Sequence, residues 1–436
     1  MLWLAVVALS SPLLLHLWQQ SCYQASPRSA RTASFFDILR QVFYIALDSF
    51  LVPLYFLFPW TRCDVHIDQT NERCLRIMAQ VPALKGYPAT CWLRNSWISF
   101  FWFNGVCELI FPWLRPEQHQ ARVKREVLKN EDGSVTALDW YAAGLSLPDD
   151  APIFFMAPTL MGDGLIEASL RLAEPLGKAG WRCVCFVKRG GGFLSPLPLH
   201  NWEPTDFMSY DDTLEGLRVV RERYPSAFLG IGGLSAGGGW VRRYCAAGEP
   251  RYADAAFSMD GGWSWKDSIT AVDEANPIIA KVLGGASAQA LFRKAWNCSP
   301  EEVPKWLDLT KLSRAVGKSW SSVLEAAHVP HSKLPDLDSY YAAVPDKSAN
   351  MPQVSSVPLL LLGSWRDGAC PEDYWLKTDP LAGLPKLCPN IFVCINHVGP
   401  HVYRPTGIFG SRSWAADLCL QFFTAVRQEL SHDKDE

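Results

Sequence analysis

Charge is scarce in this chain: Asp, Glu, Lys and Arg make up 19% of its 436 residues, against roughly 25% in ordinary soluble domains. Neither sign dominates, because 41 basic and 44 acidic side chains leave a net charge of −3. No global basic field exists to hold nucleic acid by counterion release, so nucleic acid is not an expected partner. The 13 Cys contain no C-x2-C pair, and neither a zinc ribbon nor a small disulfide framework can be read from them. Cys183, Cys185 and Cys394 fall in apolar strand-like runs and are expected to be buried thiols. Internal repeats and low-complexity tracts are also lacking. The glycine-rich segment Arg189-Gly190-Gly191-Gly192 has neither phosphate-binding spacing. It reads as a tight turn lining a pocket, and no metal or organic cofactor is expected. What is abundant is apolar surface: 49% hydrophobic residues, with 19 Trp and 22 Phe. Such a chain can bury a large core, as one big domain with additions or as two or three small ones.

Long hydrophobic runs gather near the start. Met1 to Leu17 is apolar nearly throughout and has only His16 as a titratable group, slightly short of the roughly 20 residues that span a bilayer. It lacks the basic flank of a cleaved signal peptide, which favours an uncleaved anchor. Val42 to Trp60 is a second run, interrupted by Asp48 and Pro53. An intramembrane carboxylate costs on the order of 3 kcal/mol, so this run either spans, lies in the interface or packs on the folded part. Trp97 to Leu114 is a third, broken by Asn104 and Glu108. It reads as core, or as the wall of an apolar pocket, or as a surface that dips into lipid.

From Ala121 the pattern becomes short apolar strands alternating with amphipathic segments, the rhythm of a mainly parallel α/β sheet flanked by helices. Arg122 to Lys129 and Val135 to Tyr141 read as an antiparallel hairpin around Asn130-Glu131-Asp132-Gly133. Strands are expected at Pro152 to Ala157, Trp181 to Val187, Ala227 to Gly232, Ala255 to Met259, Val357 to Leu362 and Asn390 to Ile395. Helices are expected at Leu165 to Ala179, Asp211 to Tyr224, Gly238 to Ala247 and Ser411 to Leu430. Trp263 to about Met351 breaks the rhythm as an inserted helical cap would. The chain therefore divides into a hydrophobic anchor region (1–60), a segment packing on the core (61–120), the first part of the core (121–262), the cap (263–351), the second part of the core (352–430) and a solvated polar tail (431–436).

Gly233-Leu234-Ser235-Ala236-Gly237 is a G-x-S-x-G pentapeptide with an expected strand before it and a helix after it. That context makes Ser235 a candidate nucleophile on a strained turn, the alternative being a structural glycine turn. Serine is a poor nucleophile at neutral pH and needs a base and an orienting acid. The acid candidate is Asp367, just after the strand ending at Leu362, with Asp260 as its rival and a turn-capping Asp as the plain alternative. The base candidate is His401, with His397 competing. The chain order Ser, Asp, His, with the last two after the cap, is that of the α/β-hydrolase triad. For an oxyanion, the N–H groups of Ala236 and of Leu160, in the loop Pro158 to Gly164, are the candidate donors. His331 and Asp336 fit an H-x4-D acyltransferase spacing, but they fall in the expected cap.

With these residues in place, the chain resembles the membrane-anchored α/β-hydrolases that include mammalian ABHD-type phospholipid and acylglycerol hydrolases, yeast medium-chain fatty acid ethyl ester synthase/esterases and bacterial YheT-like hydrolases. Tyr87-Pro88-Ala89-Thr90-Cys91-Trp92-Leu93 is similar to that family's entry segment, and Asp132-Gly133 with Leu138-Asp139-Trp140 to its hairpin. Arg189-Gly190 and Arg223-Tyr224-Pro225 match further turns, and Ser235, Asp367 and His401 fall on the triad positions. The chain departs from the pattern at Thr159, where Gly is usual, and at Pro400 beside the histidine. The resemblance implies an α/β-hydrolase fold and a serine hydrolase of lipid carboxylic esters. A lipid ester substrate and the bilayer are the expected partners; the expected location is a membrane whose organelle the sequence does not fix, with an endomembrane of the endoplasmic reticulum type favoured. An acyltransferase using the same site, and an inactive scaffold, are the alternatives.

Overall fold

Asn130 to Gly133 close a tight turn, with the Gly133 N–H donating to the Asn130 carbonyl at 3.0 Å and Gly133 taking a φ of +82° that suits a residue without Cβ. The computed structural model describes residues 63–87, 122–192, 194–200, 202–204, 210–247, 250–262, 265–275, 277–343, 357–364, 384–386, 388–396, 401–402, 404–406 and 412–435. The three apolar runs at 1–17, 42–60 and 97–114 lie outside the described residues. Among the described residues, no helix is long and apolar enough to cross a membrane.

The strands are β1 (Cys63–His66), β2 (Val123–Lys129), β3 (Val135–Tyr141), β4 (Ile153–Ala157), β5 (Arg182–Val187), β6 (Leu229–Leu234), β7 (Ala255–Met259), β8 (Leu359–Ser364) and β9 (Ile391–Asn396). They form one sheet in the order β1-β9-β8-β7-β6-β4-β5-β3-β2. It is parallel from β9 to β5 and antiparallel at both margins. This is the α/β-hydrolase arrangement: after β4 the chain turns to β5 on one side and then crosses to β6 on the other. The crevice at that reversal, beyond the carboxyl ends of the strands, is where sites assemble in open α/β sheets.

Helices α1 (Glu72–Ala79), α2 (Glu167–Lys178), α3 (Tyr210–Arg223) and α4 (Ala236–Ala247) precede the cap helices α5 (Trp265–Ala275), α6 (Pro277–Trp296), α7 (Leu309–Val316), α8 (Trp320–Val323), α9 (Val329–Ser332) and α10 (Leu337–Ala343), and α11 (Trp414–Asp435) ends the chain. Strand alternation sends Phe154, Cys183, Cys185, Phe257, Phe392 and Cys394 to the face covered by α2 and α11. Phe155, Val184, Ile231, Leu361 and Val393 point to the face covered by α3 and α4. With both faces covered, strands read as continuous apolar runs. Burial accordingly pushes the Cys183 and Cys185 thiols up, away from reactivity. The cap closes a separate core around Ile269, Leu291, Leu312, Val323 and Leu324, into which Met161 and Leu199 reach from core loops.

Two expectations need correction. The polar end lies on α11, which continues to Asp435 with Ser431 and His432 exposed. No Gly or Pro interrupts that stretch, and Ser431 Oγ donates to the Arg427 carbonyl one turn back at 3.0 Å. The same helix starts later than Ser411, with Ser413 Oγ accepting from the Ala416 N–H at 3.3 Å as an N-cap. The second is β6, which runs to Leu234, two residues beyond the expected end, because Gly233 and Leu234 still pair with Ser258 and Met259 of β7.

Candidate active site

The G-x-S-x-G segment forms the turn from β6 into α4. Ser235 has a φ of +55°, a sterically disfavoured value for a residue with a Cβ. It is held there by its own N–H donating to the Met259 carbonyl at 2.9 Å and by the Gly239 N–H donating to its carbonyl at 3.1 Å. The flanking glycines are required by close approach rather than by flexibility. A Cβ on Gly233 would fall against the Gly237 carbonyl, and one on Gly237 against the carbonyls of Ala157 and Pro158. Ala157 at the end of β4 pairs with Gly233, so the turn sits directly beside the loop that follows β4.

His401 Nε2 lies 2.7 Å from Ser235 Oγ, across 166 residues of sequence. That is the reach a general base needs for the serine proton. His397 and Asp367, the competing base and the favoured acid, lie outside the described residues.

Asp260, the rival acid, is fully buried directly after β7. Its Oδ2 accepts the Val402 N–H at 2.6 Å, and its Oδ1 accepts Arg404 Nη2 at 2.9 Å. The carboxylate is therefore bound to the residue next to His401. Arg404 is also fully buried, and a buried charge of this kind is tolerated only with partners. Backbone strain collects here: of six non-glycine residues with positive φ among the described residues, Met161, Ser235, Asp260 and Val402 all belong to the site or its loops.

Ala236 is the first residue of α4, and Leu160 lies in the loop after β4, where it packs against the cap core. That loop is fastened by buried groups that sequence reasoning did not assign to the site. Tyr141 Oη donates to the Gly164 carbonyl at 2.9 Å, and the Gly164 N–H donates to Asp139 Oδ2 at 2.9 Å. Asp163 accepts from the N–H groups of Leu165 at 2.9 Å, Leu194 at 2.9 Å and Ser195 at 3.1 Å, joining the loops after β4 and β5. Arg125 neutralises Asp139 through a fork of 2.6 and 2.7 Å. Burial, and then the charge of Asp139, push the Asp163 carboxyl up from its ordinary range. The available signal was Asp139-Trp140 in the hairpin motif, whose Asp faces the core rather than solvent.

Two other singled-out segments have structural tasks. Asp336 Oδ1 accepts from the Ser339 N–H at 2.7 Å, capping α10, while the His331 ring packs edge-on against Trp306. At the Arg189-Gly190-Gly191-Gly192 turn, Arg189 grips Asp212 at 2.6 and 2.5 Å and Asp132 at 2.7 Å. Arg293 of the cap donates to the carbonyls of Gly190 at 3.1 Å and Gly192 at 3.4 Å. The turn docks the cap onto the core. Among the described residues, no group of three or more His, Cys, Asp or Glu side chains is placed to hold a metal ion.

No protein-family model matches the chain, and no curated protein matches it. Among solved structures, it is similar to the esterase Pf2001 of Pyrococcus furiosus, at 15% identity over 66% of this chain and 87% of that one, with a TM-score of 0.39. It is also similar to a membrane phospholipase A described as a bacterial virulence factor, at 15% identity over 77% of this chain and 96% of that one, with a TM-score of 0.46. Est1E of Butyrivibrio proteoclasticus is similar at 12% identity over 71% and 99%, with a TM-score of 0.40.

Proposed function

We propose that the chain is a membrane-associated serine hydrolase that cleaves carboxylic esters of lipids through an acyl-enzyme intermediate, of the membrane-anchored kind its motifs resemble. The observation that carries this reading is the 2.7 Å approach of His401 Nε2 to Ser235 Oγ on a strained strand-to-helix turn. Ser235 Oγ attacks the ester carbonyl as His401 takes its proton. The tetrahedral oxyanion is held by the N–H groups of Leu160 and Ala236, and collapse expels the alcohol, protonated by His401. Water, deprotonated by the same imidazole, then releases the fatty acid. Asp367 fixes the imidazole tautomer. The lipid assignment draws on the apolar runs at 1–17, 42–60 and 97–114, because holding an enzyme at a bilayer concentrates a lipid substrate and gains nothing for a soluble one.

A fluorophosphonate probe tests the chemistry: it should label the wild type and fail on Ser235→Ala, and an unlabelled wild type would overturn the reading. The membrane part has its own test. The full chain should stay in the membrane pellet after a salt wash, since a hydrophobic anchor is insensitive to screening. Deleting 1–60 should depress turnover of vesicle-embedded acylglycerol or phospholipid far more than turnover of a short soluble ester. Equal losses would make that region a folding element instead.

A further inference from the structure

Three polar groups surround the backbone of the His401 loop. Asn396, the last residue of β9, is fully buried, and its Nδ2 donates to Cys63 Sγ at 2.9 Å across the pairing with β1. Its Oδ1 accepts Arg404 Nε at 2.9 Å. Arg404 in turn reaches Asp260, while its carbonyl accepts the Trp414 N–H at 2.9 Å at the start of α11. Asp260 is itself pinned, with its N–H donating to the Leu362 carbonyl of β8 at 2.8 Å. The buried Arg404–Asp260 ion pair thus lies in a network of bonds that reaches β1, β8, β9 and α11.

One bond of that network bears on the histidine. Val402 has a φ of +49°, a genuine outlier for a β-branched residue. In that conformation its N–H points at Asp260 Oδ2, 2.6 Å away. A bond from an amide to a buried carboxylate is the stronger, charge-assisted kind, and it is suited to hold a peptide where sterics disfavour it. The peptide so held is the one that joins Val402 to His401.

We propose that Asp260 is a positioning residue: its carboxylate, oriented by Arg404, holds the His401–Val402 peptide and so aims the imidazole at Ser235. This rests on the reading of Ser235 and His401 as nucleophile and base. Without the bond, Val402 relaxes toward negative φ and the ring shifts, and a displacement of about 1 Å at a reacting group costs roughly 10²-fold in rate. Binding of substrate does not pass through this bond, so the loss belongs to kcat.

The test uses the full chain with a short-chain p-nitrophenyl ester, and hydrogen exchange at the peptide containing Val402. Asp260→Asn opposes an amide NH2 to a donor and leaves Arg404 charged, so the double variant Asp260→Asn/Arg404→Gln, which removes both charges, is measured beside it. Both should lower kcat by about 10²-fold with KM little changed. Both should also speed exchange of the Val402 amide by roughly tenfold or more while β8 and β9 stay protected. Arg404→Lys, which keeps a cation against the carboxylate, should retain most of the rate and the protection. Unchanged exchange at Val402, or a rise in KM with kcat intact, would overturn the proposal. A loss of about 10⁴-fold in Asp260→Asn with Asp367→Asn harmless would overturn it too, by making Asp260 the acid that fixes the tautomer. A wild type that neither turns over nor labels would sink the proposed function instead, and the exchange measurement would still decide whether Asp260 holds the loop.

Discussion

The sheet and the cap each bury an apolar core, and they differ in the polar bonds that join their elements. In the sheet, strands β4 to β9 are apolar on both faces, and Phe423 of α11 lies 5.7 Å from Trp181 and 5.9 Å from Phe154 in one aromatic stack beneath them. In the cap, single polar side chains join helices that also share an apolar core. Asp273 of α5 accepts the N–H groups of Trp320 at 2.8 Å and Ser321 at 3.0 Å at the start of α8, and Trp320 Nε1 donates to Ser287 Oγ of α6 at 2.8 Å. Between the two, Arg293 and Lys294 of α6 reach backbone carbonyls of the core, Lys294 at Leu199 over 2.9 Å. Among the described residues, His401, which meets Ser235, comes from the loop that follows β9. The cap reaches the site through apolar packing on Leu160 and Met161. On the proposed function, the reacting groups are thereby separated from the cap.

The sharpest way to break that separation is at the nucleophile. On the proposed function, Ser235→Ala should lower kcat by about 10⁶-fold, to near background, with a melting temperature close to that of wild type. Trp320→Phe, which removes a cap hydrogen bond, should leave kcat within a few-fold and cost stability by about 1 kcal/mol. Ester turnover and a thermal melt read both. A cap variant that lost rate as severely as Ser235→Ala would show that the cap carries chemistry.

Glycine substitutions probe the sheet side next. Gly237→Ala places a Cβ against two backbone carbonyls, those of Ala157 and Pro158, which cannot swing away as a side chain would. The expected cost is about 3 kcal/mol or more, seen as a lower denaturation midpoint, and near-wild-type stability would mean that the β4 end and the α4 start are less tightly apposed than described.

How far the sequence could be read follows the same division. Strands β4 to β9 were legible because each is a mainly apolar run between turn residues, and the turn that carries Ser235 was legible because its pentapeptide sits between a strand and a helix. β6 was cut short at Gly232 because Gly233 opens the G-x-S-x-G segment, whereas Gly233 and Leu234 remain strand, and Gly232 and Gly233 make room for the Phe154 ring and the α4 backbone. β1 was not foreseen: Cys63-Asp64-Val65-His66 is too short and polar to announce a strand, and only the open edge of β9 makes it one. Asp260 was visible as an Asp after a strand, but its hold on Val402 and Arg404 depends on residues 142 and 144 positions away. In the cap the sequence showed helical segments interrupted by Pro. It did not show the wide π-helical turn at Leu324–His328 that carries His328 inward, because no local pattern marks it.

His328 provides a test confined to the cap. It is buried beside Tyr340, with Nδ1 and the phenol oxygen 3.3 Å apart. Burial, and then the nearby His331, lower its pKa from 6.5 to about 3. Between those values the unfolded chain binds a proton that the folded chain refuses. The contribution of His328 to stability is therefore fully present above pH 6.5 and is lost progressively as pH falls from there toward the folded value. His328→Gln keeps a partner for Tyr340 but does not titrate, so melts at pH 7.5 and 4.5 should differ less in this variant than in wild type. An identical difference would place the acid sensitivity elsewhere.

The smallest expected effect has the opposite sign and draws the contrast most directly. Gly285 lies inside α6, where a Cβ would meet only Val316 Cγ1 at 3.6 Å, an ordinary contact distance. Glycine inside a helix forfeits roughly 0.5–1 kcal/mol relative to alanine through the freedom it loses on folding. Gly285→Ala should therefore stabilise the chain by up to about 1 kcal/mol, whereas Gly237→Ala destabilises it. The same chemical change has opposite signs because one glycine is demanded by a backbone crossing at the site and the other is merely tolerated in a helix. If Gly285→Ala were destabilising instead, α6 would have to sit closer to α7 than 3.6 Å allows. The two helices would then approach there as closely as the backbones do at Gly237.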